Sequence, residues 1–151
     1  MPRDDQLELS LGSFPQGASR YLDSRPETGD AQPRIYVKFR PAGVDYSFWA
    51  LLDTGAHFCL LNETAAEFAR DRLVEGLGPF AVRTAYGLLE GQLYRHQITL
   101  LADVGISVDI EATVLVPPEW QGPCFLGYAG ALDHLHFGIN PDRNQFSFSA
   151  L

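Results

Sequence analysis

The sequence predicts an all-β domain carrying one or two short helices. Its 14 Gly and 10 Pro cut 151 residues into short pieces, and the apolar residues between these breaks run in alternating or continuous stretches of strand length. Only two brief segments have helical character. A chain of this length with 46% hydrophobic residues can bury one sizeable core and is too short for two ordinary ones.

The elements follow from local chemistry in chain order. Residues 1–33 are rich in polar residues, Gly and Pro and are expected to be an arm or linker, leaving 34–151 as the domain. Within the arm, Leu7, Leu9 and Leu11 alternate with Glu8 and Ser10, the period of a strand that packs on another surface. Ile35-Tyr36-Val37-Lys38-Phe39 and residues 46–52 form a hairpin around Pro41-Ala42-Gly43, whose Pro and Gly suit a turn. Thr64 with Glu67 three residues later makes a capping box, and Ala65, Ala66, Phe68, Ala69 and Leu73 continue at helical spacing. A short helix is expected there.

Residues 81–101 supply two strand arms around Tyr86-Gly87-Leu88-Leu89-Glu90-Gly91, where the paired glycines permit a tight reversal. Residues 106–116 form a strand pair or one long strand, closed by Pro117-Pro118. After Phe125-Leu126-Gly127, a brief helical stretch at 131–136 leads into a final hairpin. There Asn140-Pro141-Asp142-Arg143-Asn144 separates Phe137 and Ile139 from Phe146 and Phe148.

Charge narrows the function. A net charge of -8 argues against a nucleic-acid partner, because Lys and Arg supply the counterion-release term of that affinity. No stretch approaches the roughly 20 apolar residues that span a bilayer, so no membrane partner is expected. No secretory apolar region follows Met1-Pro2-Arg3-Asp4-Asp5, which makes a cytoplasmic location the expectation, with Cys59 and Cys124 reduced and buried as small apolar residues.

The residues that bear chemistry are Ala50-Leu51-Leu52-Asp53-Thr54-Gly55-Ala56. A carboxylate placed directly after an apolar strand is costly unless it is hydrogen-bonded or used. Gly55 admits another backbone or a substrate closely, Thr54 brings a hydroxyl to the turn, and a buried setting can tune the Asp53 acidity. The tripeptide alone is equally well accounted for by a turn in which Asp53 merely accepts backbone hydrogen bonds.

Taken with its context, Ile35-Tyr36-Val37-Lys38-Phe39 followed by Trp49-Ala50-Leu51-Leu52-Asp53-Thr54-Gly55-Ala56 resembles the first strands and catalytic loop of retropepsin-like aspartic proteases. Tyr86-Gly87 with Gly91 resembles the flap hairpin of that family. Ala112-Thr113-Val114-Leu115-Val116 resembles the strand after it, and Phe125-Leu126-Gly127 the apolar-apolar-Gly element. Leu132-Asp133-His134-Leu135-His136-Phe137 with Asn140-Pro141 is similar to the short helix and terminal hairpin of bacterial and retroviral members. The likeness covers about residues 34–148, and its specificity lies in the order of the elements. Two positions depart from the viral pattern: His57 and Tyr128 stand where an acidic residue and an Arg help brace the viral dimer.

The resemblance implies a closed barrel of the acid-protease type and a homodimeric endopeptidase that cleaves peptide bonds near apolar residues. In such a site two aspartates share a proton and activate water, without metal or organic cofactor. Asp53 would be the acid-base group, with Thr54 and Gly55 shaping its loop. Ala56, Tyr86, Gly87, Leu88, Phe125 and Leu126 would meet the peptide, and 86–91 would form a lid. Asp53-Thr54-Gly55 occurs once, and Asp103-Val104-Gly105 is only loosely similar, so one chain would hold half a site. Phe146 and Phe148 are the candidate strand for the interface. The departures at His57 and Tyr128 leave open a non-catalytic retropepsin-like module that uses its cleft or its dimer for protein binding.

Other chemistries fit less well. His57, His96, His134 and His136 show no zinc-site spacing, and a helical 131–136 would turn the last two rings apart. No Ser lies in a Gly-x-Ser-x-Gly elbow, and neither Cys has a catalytic context.

Overall fold

The computed structural model describes residues 14–23, 34–73, 75–84 and 86–151. The alternation of Leu7, Leu9 and Leu11 lies outside them. In chain order the strands are β1 (Gly17–Arg20), β2 (Tyr36–Pro41), β3 (Phe48–Asp53), β4 (Cys59–Leu60), β5 (Glu75–Thr84), β6 (Gly87–Leu100), β7 (Val104–Gly105), β8 (Val108–Val116), β9 (Cys124–Gly127), β10 (Leu135–Asn140) and β11 (Gln145–Ala150), with one α-helix, α1 (Glu63–Ala69), after β4. Short 3₁₀ turns occupy Arg70–Arg72, Leu132–His134 and Pro141–Arg143.

Strands β2-β3-β9-β4-β8-β6 pair in that order, and β2 returns to β6 with Phe39 opposite Leu100, closing a six-stranded barrel. Strand β5 extends from β6 as a long hairpin beyond the barrel. Two of the barrel pairings, β3–β9 and β4–β8, are parallel, so strands far apart in sequence form its centre. The local hairpins expected from the turn residues do form: Ala42 and Gly43 make the turn between β2 and β3, and Gly43 has φ +74°. Pro117 follows β8 directly.

A second sheet has the order β10-β11-β1-β7. Its inner face shares a core with the barrel: Phe146 and Phe148 of β11 are fully buried alongside Ile98, Leu100 and Ile110. Strand β11 is also paired on both edges, by β10 and by β1. Phe146 and Phe148 therefore belong to the interior of the chain, and the interface strand expected from their alternation is corrected. The apolar period of two marked a core face.

Other corrections concern boundaries. Part of the expected arm is integral to the fold, since β1 pairs with both β11 and β7, and Leu22 bridges Tyr36. Helix α1 is capped by Asn62, whose Oδ1 accepts from the Ala65 N–H at 3.0 Å. The cap thus lies two residues before Thr64, and the chain tightens into 3₁₀ geometry before Leu73. Residues 131–136 hold a single 3₁₀ turn before β10 begins at Leu135. At the end of β5 Thr84 pairs with Gly87; Gly91 lies within β6 opposite Phe80. A Cβ on Gly91 would sit 2.3 Å from the Val116 carbonyl oxygen, so this glycine serves a close strand crossing. No helix among the described residues is long and apolar enough to cross a membrane.

Candidate active site

Asp53 is the last residue of β3, in parallel register with Gly127 at the end of β9. Residues 50–52 lie beside Cys124, Phe125 and Leu126 of β9, so the carboxylate emerges from the interior of the barrel sheet. The chain then turns sharply. The Gly55 N–H donates to Asp53 Oδ1 at 2.9 Å, and the Ala56 N–H donates to the Asp53 carbonyl at 3.1 Å.

The next residues cross over Gly127, where a Cβ would meet the Phe58 carbonyl oxygen at 2.3 Å. The Tyr128 N–H donates to the Ala56 carbonyl and the Ala129 N–H to the His57 carbonyl, both at 3.0 Å. These bonds lace the Asp53 loop to the end of β9, and only a residue without a side chain lets the two backbones come so close. The Phe125-Leu126-Gly127 signal thus has a steric cause.

Asp53 borders a cleft of about 610 Å³. Leu51, Val82, Leu115 and Phe125 give the cleft apolar surface, and among the described residues Asp53 is the only carboxylate lining it. The side chain is half-buried, placed between apolar walls and solvent. This setting admits a ligand with apolar groups beside a group that hydrogen-bonds a carboxylate.

The β5–β6 hairpin reaches over this cleft. Its tip is braced by Thr84, whose Oγ1 accepts from the Tyr86 N–H at 3.0 Å and donates to the Gly87 carbonyl at 3.1 Å. Gly87 has φ +105°, a conformation that disfavours any side chain. The Tyr86 ring centroid lies 5.4 Å from that of Trp120 and 6.0 Å from that of Phe125. An Arg34 N–H donates to the Tyr86 hydroxyl, and the guanidinium carbon lies 5.3 Å from the ring centroid. Farther down the hairpin, Phe80 stacks edge-on to Phe58 at 5.2 Å and tilts against His57 at 6.3 Å. The hairpin is anchored to the Asp53 loop by these rings.

The structure gathers Asp53, Gly55, Ala56, Tyr86 and Phe125 around one cleft. Four expected site residues stand outside its lining. Thr54 is exposed at the turn, while Gly87 and Leu88 are exposed on the hairpin. Leu126 is buried in the barrel core on the opposite face of β9 from Phe125. That last correction is one of period: neighbours in a strand face opposite ways, so Phe125 and Leu126 cannot both face the cleft. Sequence reasoning missed Arg34, Arg83 and Trp120. Their signal is positional, since the two arginines lie just before β2 and just before the hairpin tip.

The remaining titratable groups have other tasks. Asp103 accepts from Lys38 Nζ at 2.7 Å and from the Arg20 N–H at 2.7 Å. The Lys38 hydrogen bond foremost holds its carboxyl below the ordinary 3.8, and it does not line the cleft. Burial pushes the Cys59 and Cys124 thiols up to about 12, so both are poor nucleophiles. Among the described residues, no group of three or more His, Cys, Asp and Glu side chains is placed to hold a metal. No family model matches the chain, and no curated protein sequence matches it either.

Proposed function

We propose that the chain is an aspartic endopeptidase of the retropepsin-like kind, active as a homodimer in which each chain contributes Asp53. The observation that carries this reading is that Asp53 is the only carboxylate lining the cleft among the described residues, at a turn braced by backbone hydrogen bonds. A lone carboxylate is half of an acid-base pair. A second copy related by a twofold axis would bring an identical Asp53 to the first, and an isologous contact of this kind pairs each surface with itself.

Two such carboxylates at close range hold one proton between them, because both cannot easily ionise. The ionised one takes a proton from water as the water oxygen attacks the peptide carbonyl carbon. The protonated one gives its proton to the carbonyl oxygen. Collapse of the tetrahedral species breaks the C–N bond, and a proton passes to the leaving amine. The apolar lining fits peptide side chains flanking the bond, and the hairpin carrying Tyr86 is placed to exclude water from it.

A second reading has its own support: the Gly55 N–H bond to Asp53 is sufficient for an ordinary turn, and Tyr86 already packs on Trp120 and Phe125. On that reading the cleft or the dimer binds protein without cleaving it. Mixing separates the two. Asp53→Asn removes the shared-proton pair while conserving size, so it abolishes peptide cleavage and, in excess, poisons wild type by forming mixed dimers. Activity falls faster than linearly on dilution below the dimer dissociation constant. Cleavage by Asp53→Asn at the wild-type rate, or constant specific activity where sedimentation finds only monomer, would overturn the two-chain catalytic site.

A further inference from the structure

The charge around the cleft runs opposite to that of the chain. The sequence carries 19 acidic residues against 11 Lys and Arg, yet the described lining holds Arg34 and Arg83 with Asp53 as its one carboxylate. Arg83 lies in β5 just before the hairpin tip and is exposed. It makes no ion pair among the described residues, whereas Lys38 has Asp103 and Arg95 has Glu111. Arg34 is held at the cleft by the Tyr86 hydroxyl and ring, so its fork is already oriented near the hairpin tip.

We propose that the cleft selects peptides bearing a carboxylate next to an apolar residue, with Arg83 as the group that receives the carboxylate and Arg34 supporting it. This rests on the peptide-cleft reading above and narrows its substrate class. A planar guanidinium matches a carboxylate bidentately. The apolar surface of Val82, Leu115 and Phe125 beside it accommodates the neighbouring side chain. A negatively charged chain repels acidic peptides at long range, so their selection depends on these local cations. The carboxylate comes either from a Glu or Asp side chain or from the end of the peptide, and the two sources are separable.

The test uses the full chain carrying Asp53→Asn, so that binding is measured without cleavage, and fluorescein-labelled peptides read by anisotropy. The first pair is an apolar peptide with internal Glu and its Gln counterpart, both amidated at the C-terminus; the third is the Gln peptide with a free C-terminus. One of the two carboxylate peptides binds about fivefold tighter than the amidated Gln peptide, the scale of an exposed Arg–carboxylate pair, and which one does so names the source. That ratio collapses to about one in Arg83→Gln, survives in part in Arg83→Lys, and inverts in favour of a Lys-containing peptide in Arg83→Glu. Equal affinities for all three peptides, or a ratio unchanged by Arg83→Gln, overturn the inference. If wild type then cuts the Glu and Gln peptides at the same rate, the peptidase reading stands without it. Charge-selective binding that depends on Arg83, with no cleavage by wild type, upholds the inference and removes the peptidase.

Discussion

Replacing Gly127 by Ala tests the architecture that holds Asp53 in place. The new Cβ would lie 2.3 Å from the Phe58 carbonyl oxygen, 2.5 Å from the Phe58 carbonyl carbon and 3.1 Å from the Ala56 carbonyl oxygen. All three are backbone atoms, so no side chain can swing aside, and the Asp53 loop must retreat by about 1 Å to reach ordinary contact. Overpacking of this kind costs about 1–3 kcal/mol. The retreat also stretches the Tyr128-to-Ala56 and Ala129-to-His57 hydrogen bonds, both 3.0 Å, at about 0.5–1.5 kcal/mol each. Together these give a loss of roughly 2–6 kcal/mol, or a melting temperature lower by about 4–24 °C for a chain of this size. Urea and thermal unfolding followed by circular dichroism measure it. Gly138→Ala is the matched control: its nearest atom would be Phe14 Cζ at 3.7 Å, and reduced unfolded-state freedom makes it neutral or slightly stabilising. A Gly127→Ala protein within about 1 kcal/mol of wild type would refute the crossing as described.

Asn62→Ala removes both the cap to Ala65 and the Nδ2 donation to the Gly122 carbonyl, each at 3.0 Å, and should cost about 1–2 kcal/mol; in urea unfolding, Asn62→Asp should recover part of it by restoring the cap alone. His96 is 6% exposed, and burial pushes its ring below the ordinary 6.5 against a smaller opposing hydrogen bond to the Arg72 backbone. The unfolded chain therefore binds the proton more readily, so stability is full above 6.5 and declines as pH falls through the lower folded value. His96→Gln should flatten the dependence of the urea midpoint on pH over about pH 5 to 7; an unchanged slope would assign it to other groups. Gly87→Val places a β-branched residue at φ +105°, straining the hairpin tip by about 1–3 kcal/mol. Peptide turnover should slow, and an unaltered rate in the folded variant would remove the lid role.

Much of the fold is legible locally. The β2–β3 hairpin, β8 before Pro117, β9 and the β10–β11 hairpin follow from runs of apolar residues punctuated by Gly, Pro and Asn, because backbone freedom and side-chain alternation act over a few residues. The Asp53-Thr54-Gly55 turn was visible for the same reason, but the close backbone approach expected at Gly55 occurs instead at Gly127, since a Cβ on Gly55 would meet only Asp53 Oδ1 at 3.3 Å. The helix cap expected at Thr64 is misplaced because the Thr64-to-Glu67 pattern is a capping box on its own, whereas the cap at Asn62 is joined by a hydrogen bond to Gly122 across the fold.

What the tertiary structure decided is which face each alternation turns toward. Phe146 and Phe148 look like any exposed apolar stripe until β1 and β10 flank their strand and the barrel covers it. Strand β1 itself has no apolar alternation in Gly17-Ala18-Ser19-Arg20. It is buried because small residues let it pass close to other backbone, with a Cβ on Gly17 only 2.2 Å from the Ile106 carbonyl oxygen. The same holds at the candidate site. A period of two shows that Phe125 and Leu126 face opposite ways, but the parallel pairing of β3 with β9 chooses the one beside Asp53. Arg34 and Arg83 approach the same cleft only once the barrel has closed and the β5–β6 hairpin has folded over it. Such pairings join residues tens of positions apart, and their selection depends on burying both faces at once, which no local stretch of sequence encodes.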